Sequence, residues 1–188
     1  MATPPTFTSG AVLTAAQMNA IGLWQVGSTT ATSGTTAQVL GCFTTDYDAY
    51  KIIVNDIRTV AAASFTLQLL QGSTAVATNY GWAASRVDYA GALTGTGSGI
   101  TPLVGAWATQ ITNSTTSATS FTMEIQNPFL SQYTYAQWEA TDNRGGSGYA
   151  RVMGGGTHAS ATSCTGIRFT LTASSITNMN INVYGYRK

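Results

Sequence analysis

The sequence predicts an all-β fold: an antiparallel β-sandwich, jelly-roll-like in topology, behind a short N-terminal arm and helix. Three observations carry that expectation. Apolar and polar residues alternate at period two in one segment after another, which gives each segment one apolar and one polar face. Short clusters of Gly, Asn, Ser and Thr separate the segments. No helical period follows Gly22, and no internal repeat of roughly 20 to 50 residues recurs. A hydrophobic fraction of 44% in 188 residues supports one packed domain with an extension.

The elements follow in chain order. Residues 1 to 10 are small and polar and carry Pro4-Pro5, which favours an extended conformation. Thr14 is a good N-cap, with Gln17 three residues on as a capping box requires. Leu13 and Met18 are placed as a hydrophobic staple, and Gly22 supplies a stop, so the spacing predicts a helix over 15–21. Two turns of helix do not stand alone in water. Leu13, Met18, Ile21 and Trp24 therefore need cover, either from their own domain as a plug or from another protein. The chain divides into an arm with a short helix at 1–24 and a sandwich domain at 25–188.

Beyond Trp24, Ala37, Val39 and Phe43 alternate with Gln38, and KIIVNDI at 51–57 reads as a more fully buried run. Phe65, Leu67 and Leu69 alternate with polar neighbours, as do Phe121, Met123 and Ile125. Ile167, Phe169 and Leu171 repeat the pattern, and Met179, Ile181 and Val183 close it. QGST at 71–74, GTGSG at 95–99, NRGGSG at 143–148 and GGG at 154–156 read as turns. The stretch 92–102, ALTGTGSGITP, reads as the longest loop.

Charge excludes several function classes. Charged residues make up 8%, about a third of the usual share, and the formal net charge is +1. The basic residues are scattered rather than striped, which argues against nucleic acid as a partner. No run approaches a membrane span, and residues 1 to 10 lack the pattern of a signal peptide. Low charge with many aromatic residues suits a buried subunit face, so a homo-oligomer is expected.

Catalytic patterns are sparse, and no enzymatic activity, cofactor or metal is expected. His158 is the sole histidine, so a Ser-His-Asp triad would have to use it; a loop or strand-edge position is its ordinary expectation. Glu124 and Glu139 raise the question of paired carboxylates, which on a hydrolase would stand about 5 to 10 Å apart across a cleft. Asp46 and Asp48 are too few for a calcium site, and two cysteines with one histidine do not make a zinc site. Cys42 reads as a small buried core residue, and spacing does not establish a bridge to Cys164. Tyr80, Trp82, Tyr133 and Trp138 are candidates for stacking on a host-surface glycan, although core or interface packing is the commoner role for such residues. Asn178, Asn180 and Asn182 share one face and suit glycan contact, an intersubunit ladder or solvation.

The opening FTSGAVLTAAQMNA resembles the N-terminal segment of structural proteins from tailed bacteriophages, in which an extended piece runs into V-L/V-T-A-A-x-x-N. The matching residues are Phe7, Gly10, Val12, Leu13, Thr14, Ala15, Ala16 and Asn19. The ending INVYGYRK is similar to the closing strand of phage fibre and decoration domains. The resemblance implies a virion protein assembled in the host cytoplasm and attached to other virion proteins, capsid or tail. Phe7, Leu13, Met18, Ile21 and Trp24 would make that attachment. The chain lacks the coiled coil or repeated shaft of many fibres, so it would sit close to the surface that holds it. That favours a capsid-decorating or minor capsid protein; the alternative is a short tail fibre or tip protein that binds carbohydrate. Sedimentation equilibrium at micromolar concentration is expected to give a trimer, and a monomer would count against the buried subunit face.

Overall fold

A computed structural model describes residues 23–61, 63–88, 93–99, 107–108, 119–143, 149–172 and 174–186, together with Gly10, Val12 and Gly91. The described residues form two antiparallel sheets without a helix. The helix expected over 15–21 lies outside them. In chain order the strands are β1 (Leu23–Ala31), β2 (Thr36–Val39), β3 (Ala49–Thr59), β4 (Phe65–Gln71) and β5 (Thr74–Ala75). They continue as β6 (Tyr80–Asp88), β7 (Leu93–Gly99), β8 (Trp107–Ala108), β9 (Thr119–Gln126) and β10 (Thr134–Asn143). The last three are β11 (Tyr149–His158), β12 (Gly166–Leu171) and β13 (Ile176–Tyr186). The large sheet runs β1-β13-β3-β9-β10-β11-β6-β7, and the small one β2-β12-β4-β5, with β8 also on β4.

The alternation read from the sequence decides what each sheet buries. From the large sheet, Tyr50, Ile52, Val54, Phe121, Met123, Ile125, Ile181 and Val183 point inward. The small sheet answers with Val39, Phe65, Leu67, Leu69, Ile167 and Phe169. Phe121 stands edge-on to Phe65 and Phe169 at centroid distances of 5.5 and 5.9 Å, and those two meet at 5.8 Å. Such edge-to-face pairs add about 0.5–1.5 kcal/mol each beyond the burial of the rings.

The run 51–57 departs from the expectation of full burial. Ile52, Val54 and Ile57 are buried while Lys51 and Ile53 are half-buried and Asn55 is exposed. A bulge between Val54 and Ile57 restores the inward phase at Ile57, and Asp56 there takes φ 53°. Hydrogen bonds from Arg58 and then Asn178 hold the Asp56 carboxyl below its usual range.

Two glycine-rich stretches expected as a turn and a loop are strands. Residues 154–156 lie inside β11, paired to β10 on one side and β6 on the other. The reason is space: Gly154 sits opposite Trp138, and a Cβ at 154 would overlap the indole. The stretch expected as the longest loop contains β7, which pairs with β6 across a register shift between Ala84 and Ser85. QGST does turn, joining β4 to β5 with Gly72 at φ 60°.

His158, expected in a loop or at a strand edge, is fully buried at the end of β11 because its backbone is paired to both Thr134 and Tyr80. Its ring lies 4.9 Å from that of Tyr80. The Tyr80 hydroxyl accepts from the Leu69 amide at 2.8 Å and donates to the Val76 carbonyl at 3.2 Å. One side chain of the large sheet thereby pins the β4–β5 hairpin of the small one. Burial holds the His158 pKa below its usual 6.5. Cys42 and Cys164 are free, buried thiols, and burial pushes them up to about 12 and about 11.

Two outcomes follow from this packing. Above pH 6.5 the His158 ring is neutral folded or unfolded; as the pH falls below that, the unfolded chain takes the proton first and stability declines. Urea unfolding should show a loss of at most about 1.4 kcal/mol per pH unit between pH 6.5 and 5, and His158→Phe should flatten that slope. Gly154→Ala should cost about 1–3 kcal/mol and shift the tryptophan emission, as Trp138 is displaced.

Candidate functional site

The face of the large sheet turned away from the core carries a depression. Its residues follow from register. Glu124 on β9 is paired with Lys51 on β3 and Gln137 on β10, and Gln137 faces Gly155 on β11. In the next row on the same face, Thr122 stands between Ile53 and Glu139, and Glu139 faces Met153. These are the polar partners of core residues: Glu124 follows Met123, and Gln137 and Glu139 flank Trp138. The result is a groove of about 560 Å³ lined by Lys51, Ser120, Thr122, Glu124, Gln137 and Glu139 among others. A second depression of about 270 Å³ shares Glu124 and Gln137 and continues to Gln126 and Tyr135.

Small residues open this surface. Gly155 lies between Gln137 and Ala83, so no long side chain rises beside the groove there. Ala49 lies between Tyr186 and Gln126, which leaves room for the Tyr186 phenol to cross β3. That phenol donates to Glu124 Oε1 at 2.7 Å, and Gln137 Nε2 donates to Oε2 at 3.2 Å. Burial, and then the Glu124 carboxylate that needs its proton, push Tyr186 up to about 12. Glu139 pairs with Arg151 at 2.6 Å; both are more than half exposed, so the pair orients the carboxylate more than it stabilises the fold.

Glu124 and Glu139 thus reach one groove, as diagonal neighbours on adjacent strands. The Cα atoms of such neighbours stand about 7–8 Å apart, near enough to raise the question of a hydrolytic pair. Spacing alone is insufficient. A general acid of that kind sits in a desolvated pocket, whereas Glu139 is exposed and ion-paired and both oxygens of Glu124 already accept hydrogen bonds. The arrangement suits fixed acceptors.

The residues singled out from sequence are dispersed. Phe7, Leu13, Met18 and Ile21 lie outside the described residues. Trp24, grouped with the arm, is half-buried within β1 opposite Gly185, so the sheet begins before the division expected at 24 and 25. Tyr80 and Trp138 are buried, Trp82 packs against the core from the same inner face, and Tyr133 alone of the four is exposed. They do not form a solvent-facing platform. The asparagine row is engaged within the protein: Asn178 donates to Asp56, while Asn180 and Asn182 accept from Thr30 and Gln25.

Lys51, Gln137 and Tyr186 went unmarked as site residues. The signal was parity: odd positions in β10 lie on the face opposite Trp138, and Lys51 and Glu124 share that face once β3 and β9 are paired. Comparison with known protein families, curated proteins and solved structures finds no match for this chain.

Proposed function

We propose that this protein is a structural accessory protein of a tailed-bacteriophage virion, a capsid-decorating or minor capsid protein held by its N-terminal arm. The observation that carries the reading is the segment FTSGAVLTAAQMNA, which resembles the attachment segment of such proteins and, with Gly22 as its stop, has the capping box and staple of a helix with an apolar side. The sandwich supports it by the place where the arm leaves. β1 is an edge strand of the large sheet, and its first residue, Leu23, pairs with Tyr186 of the closing VYGYRK segment. The strand that follows the arm therefore begins beside the closing segment that carries the second resemblance. Virion proteins are the partners in this reading, several identical subunits would add avidity, and assembly takes place in the host cytoplasm.

We further read the sandwich as an elaborated jelly roll. β1 pairs with β13, β2 with β12, β3 with β9 and β4 with β8, so the chain doubles back on itself in nested order. That nesting, divided between two sheets, supports two interlocked Greek keys. On this reading β6–β7 and β10–β11 are additions that widen the large sheet, and β5 extends the small one.

Leu13, Met18 and Ile21 would together contribute on the order of 5 to 9 kcal/mol on burial, before ordering costs. Deleting residues 1 to 22 removes none of the described strands and should leave a folded, soluble domain that no longer joins particles. Met18→Asp or Ile21→Asp should lower incorporation without changing the unfolding midpoint of the free protein. A truncated protein that precipitates, or that decorates particles at normal occupancy, would make the segment an intramolecular plug.

A further inference from the structure

We propose that the outward depression along β9 and β10 is a binding groove for a neutral, linear glycan. The proposal is independent of the virion reading, since it concerns the sandwich alone.

Shape favours a chain-like ligand. The two depressions share Glu124 and Gln137 and extend from Ser120 and Thr141 at one end to Gln126 and Tyr135 at the other. Strand rise sets that length at about 20 Å. A compact metabolite would fill a fraction of it.

The lining selects the chemistry. Glu124 and Glu139 accept hydrogen bonds, Lys51 donates them, and Gln126 and Gln137 do both. Sugar hydroxyls, each a donor and an acceptor, match such a mixed wall. An apolar peptide or lipid would have to cover Lys51, Glu124 and Glu139 as well as Ala140 and Met153, and a nucleic acid would meet two carboxylates. Charge narrows the choice further. Lys51 and Arg151 offset Glu124 and Glu139 on this face, so neither an anionic nor a cationic saccharide gains from it. Tyr135, 47% exposed at the far end, offers a ring for the C–H face of a sugar.

The groove is also preorganised. Tyr186 and Gln137 fix Glu124, and Arg151 fixes Glu139. Side chains already held in place lose less freedom when a ligand arrives. The same contacts commit both carboxylates as acceptors, so the groove binds without cleaving.

Affinity electrophoresis of the full chain tests this, in native gels cast with dextran, galactomannan or mixed-linkage β-glucan and, in parallel, with hyaluronan as an anionic probe. At least one neutral polysaccharide should retard the protein. Gln137→Ala and Tyr135→Ala replace exposed side chains and should fold normally; each should weaken that retardation about tenfold. Asn55→Ala, on the same face but beyond the groove, should leave it unchanged. Retardation by no neutral polysaccharide, by hyaluronan alone, or equally in the parent and both groove variants would overturn the proposal. Release of reducing ends from the retarding polysaccharide would overturn it as well, in favour of hydrolysis.

Discussion

The contact between Phe121 of the large sheet and Phe65 and Phe169 of the small one is the constraint on which the structure depends. A sheet with one apolar face is stable only when that face is covered, and here each sheet covers the other. The rings meet edge-on, so the two sheets are fixed in position as well as held together. Tyr80 extends the junction toward the widened side of the large sheet, since its hydroxyl is bonded to the backbone of the β4–β5 hairpin. The neutral ring of His158 packs beside it and ties that part of the junction to pH.

What faces outward follows from what faces inward. Met123 and Trp138 enter the core, and their neighbours Glu124, Gln137 and Glu139 must then line the opposite surface. A slip of one residue in register would bury Glu124 and expose Met123, so the packing that stabilises the sandwich also fixes the groove. β13 connects this surface to the arm. Tyr186 pairs with Leu23, where the arm leaves, and also donates to Glu124. The proposed attachment corner and the proposed ligand groove therefore share a side chain.

Legibility in the sequence tracked how much of each element was local. The runs around Phe65, Phe121, Phe169 and Ile181 were readable because each has one buried face and carries its own alternation. Gly154 to Gly156 misled because the reason for a glycine there is the Trp138 ring on another strand, which enters only through register. The stretch around β7 misled similarly: glycine supplies no side-chain period, and pairing with β6 makes it a strand. His158 was unreadable as interior because burial comes from the strands on both sides of it. Among site residues, Glu124 and Glu139 were noticed for their chemistry, but Lys51, Gln137 and Tyr186 look like ordinary solvated strand positions until the strands are paired. The arm is the reverse case: the signals for its caps and staple are local to residues 13–22, which lie outside the described residues, and the docking surface proposed for it would belong to another chain.

The central claim is that the N-terminal segment is an intermolecular anchor. An electron cryomicroscopy reconstruction of assembled particles tests it most directly, by locating residues 1 to 22 relative to neighbouring chains. The account predicts a helix near residues 15–21 with Leu13, Met18 and Ile21 buried against another virion protein, and the sandwich projecting outward. Finding that helix packed on its own sandwich, with the particle contact made elsewhere, would contradict it.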